Sequence, residues 1–167
     1  TGVQTCALPI FRHVAAANDV VVTCGAGGVG KTSVAAALAA TAAMQLDAKV
    51  LVLTVDPARR LATAMGLGEL GNTESRVTTG PFGGAEPRGE LWAAMLDTAA
   101  GWDELIRRHA PDPATRDAIL ANPLYRTITA TFVQSHDYIA MERLHDLHAS
   151  GRFDLIVRSE EHTSELQ

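Results

Sequence analysis

The chain has 167 residues, 47% of them hydrophobic and 5% aromatic, enough for one globular domain with a core and too apolar for a disordered or fibrous chain. Its 14 basic and 19 acidic residues leave a net charge of -5, without the clustered positive charge that broad nucleic-acid binding requires. No run reaches the roughly 18 apolar residues of a membrane span, and Cys6 and Cys24 make neither a disulfide framework nor a metal cluster, so a cytoplasmic location is expected.

The first ten residues, TGVQTCALPI, and the last ten, RSEEHTSELQ, share an unusual property. One codon choice for the first, read in reverse complement, overlays one codon choice for the second with a single-base offset. The shared string resembles a short-read sequencing adapter. Residues 1–10 and 158–167 are therefore expected to be adapter-derived, against the plainer alternative of ordinary disordered ends. On this reading Cys6, His162 and the acidic group Glu160, Glu161 and Glu165 carry no functional weight. The natural segment is then expected to run from Phe11 to Val157, with a reading frame that continued beyond.

Within that segment, Val20-Val21-Val22-Thr23 is a β-branched run that stops at glycines, the pattern of a buried parallel strand feeding a loop. The Ala-rich stretch from Lys31 to Leu46 favours a buried helix, not a membrane anchor. Lys49 to Val55 is a second strand ending at Asp56-Pro57. Residues from Gly66 to Gly89 read as an extended loop. From Leu91 to Ala149 the pattern is largely helical, broken at Pro111, Pro113 and Pro123, with Leu91 to Leu96 an alternative strand. Phe153 to Val157 is a third strand, expected to leave an open sheet edge. The implied fold is α/β: a parallel, doubly wound sheet of the P-loop NTPase type. A helical insertion is expected at about 97–149, and the sheet is expected to be incomplete on its C-terminal side.

The loop Gly25-Ala26-Gly27-Gly28-Val29-Gly30-Lys31-Thr32 meets the pattern G-x-x-x-x-G-K-[ST]. Glycines let backbone N–H groups approach phosphate oxygens. Lys31 is expected to reach the β- and γ-phosphates and the Thr32 hydroxyl to bind Mg²⁺, with the helix N-terminus adding positive partial charge. ATP and Mg²⁺ are the expected ligands. Asp56, at a strand's carboxyl end, is expected to polarise an attacking water or hold a magnesium-bound water, or else to open an Asp-Pro turn. Arg59 and Arg60 suit a solvated helix face better than a phosphate contact. His136, His145 and His148, with Asp146 adjacent, lack metal-motif spacing and read as a wet helix face. Cys24 is expected to be a small buried residue, and Trp92 and Trp102 to pack the core or the insertion.

GAGGVGKTS, VDPARRL, FDLIV and LWAAMLDTAAGWDELIRRHAP resemble the ArsA family of P-loop ATPases, in its actinobacterial branch. That family includes arsenite-pump ATPases and targeting factors for tail-anchored membrane proteins. The resemblance implies a dimeric ATPase that couples nucleotide state to opening and closing of a helical subdomain, acting on a protein client or membrane partner and not on nucleic acid. By position it implies that Gly27 to Thr32 cradle phosphate and Mg²⁺, Ser33 lies at the α-phosphate, and Asp56 is the switch aspartate that positions the lytic water. Three places depart from the family pattern. Ala26 stands where a lysine usually crosses the dimer interface, and Arg59 where a histidine is frequent. Arg158 follows FDLIV where an Asp-Thr-Pro-Pro-like switch is expected, so this chain itself is expected to hydrolyse almost nothing. Arsenite capture by clustered thiols is not expected, since Cys24 stands alone. Two other readings are a nucleotide-sensing subunit that does not hydrolyse and a partition-type ATPase of the same superfamily.

Overall fold

A computed structural model describes residues 7–26, 28–55, 60–68, 70–78, 82, 84–131 and 135–160. Helix α1 (Ala7–Ala16) is followed by strand β1 (Val20–Thr23), helix α2 (Lys31–Gln45), strand β2 (Lys49–Thr54) and helix α3 (Arg60–Ala64). Strands β3 (Ser75–Val77) and β4 (Glu90–Met95) come next. Four helices follow, α4 (Thr98–His109), α5 (Pro113–Ala121), α6 (Pro123–Thr131) and α7 (Ser135–Ala149), and then strand β5 (Leu155–Ser159).

The five strands form one sheet in the order β1-β5-β2-β4-β3. Every pairing is parallel except β3 with β4, where Ser75, Arg76 and Val77 face Ala93, Trp92 and Leu91. This is the α/β, P-loop-like fold that the sequence implies. Val50 to Leu53 of β2 and Leu155 to Val157 of β5 are buried on both faces, which is why they read as unbroken apolar runs and not as alternation. Asp154 ties the two strands at their start: its carboxylate accepts from Lys49 N at 2.7 Å, and its own N–H donates to Lys49 O at 2.8 Å.

One face of the sheet, with Val50, Val52, Ala93, Leu155 and Val157, is covered by α1, α2 and the Leu61–Met65 segment. The alanines of α2 make this possible. Ala35, Ala39, Ala42 and Ala43 have no exposed surface, because a methyl side chain lets the helix axis lie close to the sheet. The other face, with Leu51, Leu53, Ala94 and Ile156, packs against Ile139, Ala140, Leu144 and Leu147 of α7 and against Trp102 and Leu105 of α4. A Cβ at Gly101 would collide with the Ile139 side chain, so α4 and α7 meet where α4 has no side chain. Helix α5 buries no residue, and Leu124 and Ile128 of α6 are exposed.

The structure corrects several expectations. Of the two readings of Leu91 to Leu96 the strand holds, as β4 (Glu90–Met95), because pairing to β2 on one side and β3 on the other outweighs the helix propensity of its Leu, Ala and Met residues. The supposed loop from Gly66 to Gly89 contains β3. The third strand is not an edge: β5 is inserted between β1 and β2, and the edges are β1 and β3. It also runs two residues past Val157, through Arg158 and Ser159, just as α1 spans residues 10 and 11. Cys24 is exposed and not buried, since β1 ends before it and an edge strand leaves one flank uncovered.

Candidate functional site

The site is built at the carboxyl end of the sheet, where parallel strands leave room for ligands. Register aligns three hydroxyl residues there: Thr23 of β1 and Thr54 of β2 both pair with Ser159 of β5. The glycine loop rises from β1 into α2 directly beside this row. Thr23 Oγ1 joins loop to sheet, lying 3.3 Å from the Arg158 carbonyl and 3.5 Å from that of Lys31.

Gly28 and Gly30 have φ of 78° and 88°, a region that a side chain disfavours, and nothing lies within 4 Å of a Cβ built on either. The glycines are needed for backbone conformation, and the space over them is open. Gly30 is also the N-cap of α2 and offers no side-chain cap, so the first amides of the helix are left to an outside acceptor. The first helical bond, Val34 N to Gly30 O at 2.9 Å, begins beyond them. Lys31 is 9% exposed, and its Nζ donates to Ala26 O at 2.8 Å, folding the ammonium across the loop. Thr32 Oγ1 is 3.4 Å from Ser159 Oγ. Ala26, Val29 and Ser33 are exposed around the loop. An anion of phosphate size placed here would meet backbone amides, a lysine and a helix N-terminus together, so the residues present fit a nucleotide's phosphates.

Among the described residues the fit to magnesium is poorer, and Asp56, the carboxylate expected at the end of β2, lies outside them. The described neighbour of the Thr32 hydroxyl is the neutral Ser159 hydroxyl, and among the described residues no group of three or more His, Cys, Asp or Glu is gathered to hold a metal ion.

The family model for anion-transporting ATPases of the ArsA type matches residues 18–158, from just before β1 into β5. The chain belongs to the ArsA ATPase family. No curated protein matches it. In this ArsA-family chain the glycine loop joins the first strand of the sheet, β1, to helix α2.

Other expected site residues fare differently. Gly27, Asp56 and Arg59 lie outside the described residues, and Arg60 opens α3. His145 and His148 are exposed, 3.8 Å from Asp146 and 3.9 Å from Asp19 respectively. The position of His136's side chain is outside the described set. Trp92 and Trp102 pack against the second face of the sheet. Lost hydration and the Glu160 carboxylate, 3.5 Å from Sγ, push the Cys24 thiol above its ordinary value, which works against thiolate chemistry beside the loop.

The sequence marks Arg158 only as a break in the family pattern and gives Ser159 no role, because both fall in the stretch expected to be adapter-derived. Arg158 is 1% exposed and sits in the centre of the sheet between Val22 and Leu53. Its guanidinium meets Glu160 at 3.1 Å and Met141 Sδ at 2.9 Å, while Nε has no hydrogen-bond partner. A buried, partly satisfied cation in a strand of apolar neighbours is a signal that composition alone does not reveal. No helix among the described residues is long and apolar enough to cross a membrane.

Proposed function

We propose that this chain is the nucleotide-binding part of an ATPase that uses ATP and Mg²⁺ to drive a conformational cycle on a client or membrane partner. The observation that carries the reading is the loop itself: left-handed Gly28 and Gly30, buried Lys31 and the uncapped start of α2 converge on one open space. Asp56 is proposed as the group that positions the lytic water, and Ser33 as the contact to the α-phosphate. Helices within 97–149 are proposed to carry the cycle outward. Leu124, Ile128, Tyr138 and Met141 support that assignment, being large apolar side chains exposed on α6 and α7. A dimer and a cytoplasmic site of action fit this reading.

A second reading is favoured by Ala26. With no lysine at that position, the chain acts as a nucleotide-sensing subunit that holds ATP without turning it over; a gain of hydrolysis in Ala26→Lys supports it. For the chain as it stands, weak binding and almost no hydrolysis are proposed. The buried Arg158 supports treating residues 158–167 as foreign to the strand they extend, and sequencing the source DNA across Val157 tests that point.

The main reading is tested by titrating the purified chain with a fluorescent ATP analogue. Saturable binding that unlabelled ATP competes away supports it; no binding at millimolar nucleotide defeats it.

A further inference from the structure

P-loop ATPases hold magnesium between the loop's own hydroxyl and a carboxylate at the carboxyl end of a nearby strand. In this chain the loop hydroxyl is Thr32, and the side chain facing it is Ser159, oxygen to oxygen at 3.4 Å. Ser159 is 3% exposed and fixed in register between Thr23 and Thr54, so its position is set by the sheet and not by a mobile loop. The row therefore offers neutral hydroxyls where a hard cation takes anionic oxygen. The nearest carboxylate in sequence, Glu160, is engaged by Arg158 Nη2 at 3.1 Å and lies 3.5 Å from Cys24 Sγ.

We infer that Ser159 occupies the place of the metal-site carboxylate. The chain as it stands binds a nucleoside triphosphate through loop amides and Lys31 with little help from a divalent cation, and a carboxylate at position 159 confers metal dependence. The inference rests on the nucleotide-binding reading. Its physical basis is charge: one anionic oxygen beside Thr32 supplies the attraction that a hydroxyl lacks, and in the absence of metal the same oxygen repels phosphate.

The experiment measures the affinity of the full chain and of Ser159→Asp for a fluorescent ATP analogue, in EDTA and in excess Mg²⁺. Mn²⁺ retention by each nucleotide complex is read by electron paramagnetic resonance. The unaltered chain is expected to change affinity by less than about threefold between the two buffers. Ser159→Asp is expected to bind about tenfold more tightly with Mg²⁺ than without, and to retain Mn²⁺. A gain of about tenfold or more from Mg²⁺ in the unaltered chain overturns the inference and directs attention to Asp56. So does a folded Ser159→Asp with equal affinity in both buffers. If that variant does not fold, the unaltered chain's two affinities still decide. Failure to bind nucleotide in either buffer overturns the proposed function and this inference with it, whereas metal-independent binding by both proteins overturns this inference alone.

Discussion

Lys31 Nζ donates a 2.8 Å hydrogen bond to the carbonyl of Ala26, so the loop closes on its own lysine across five residues. An ammonium at 9% exposure needs such a partner, and a phosphate oxygen is a stronger one than a carbonyl. Binding thus exchanges a neutral acceptor of the ammonium's hydrogen bond for an anionic one.

Lys31→Ala removes that exchange. Its expected effect is a loss of about 2 kcal/mol of nucleotide affinity, within the range for hydrogen bonds to charged groups. Competition titration of a fluorescent ATP analogue measures it. An affinity within twofold of the unaltered chain would show that the loop is not the site.

Arg158→Met should stabilise the fold. The guanidinium has an unpartnered Nε and lies among apolar neighbours, while its ion-pair partner Glu160 keeps access to solvent, so removing the charge relieves desolvation without stranding a buried carboxylate. A gain of about 1 to 4 kcal/mol is expected in urea unfolding. A loss of stability would mean that the ion pair outweighs the cost of burying it.

Gly89→Ala should do the opposite. A Cβ there would run into the backbone of Ala48, and the Gly89 N–H donates to Ala43 O at 2.9 Å, so neither side can move without breaking the junction between α2 and the start of β4. A destabilisation of about 2 to 4 kcal/mol is expected from thermal or urea unfolding, the range for overpacking against fixed backbone.

Arg108 and Asp146 join α4 to α7 at 2.7 Å. The hydrogen bond from Arg108 holds the Asp146 carboxyl below its ordinary value. A carboxyl depressed in the folded state contributes stability above its unfolded value, and the contribution fades as pH falls through the depressed folded value. Asp146→Asn should therefore cost up to about 1 kcal/mol at neutral pH, as for a half-exposed pair. The difference from the unaltered chain should close at acid pH, which paired urea titrations across that range will show. A difference independent of pH would assign the effect to packing.

The first strand, the alanine helix and the second strand stand where local sequence places them. Val20 to Thr23, the glycine loop, the alanine helix and Lys49 to Thr54 are each specified by neighbours in the chain: β-branched runs favour strands, alanine favours helix, and a phosphate loop has its chemistry in eight consecutive residues. Tertiary structure alone decided the rest. That Glu90 to Met95 is a strand depends on β2 and β3, more than a dozen residues away in the chain. That β5 enters between β1 and β2, carrying Ser159 to Thr32 and burying Arg158, depends on pairing across more than 100 residues. Strand order and register come from contacts between distant segments, and no local preference of Leu155 to Ser159 encodes which strands will flank it.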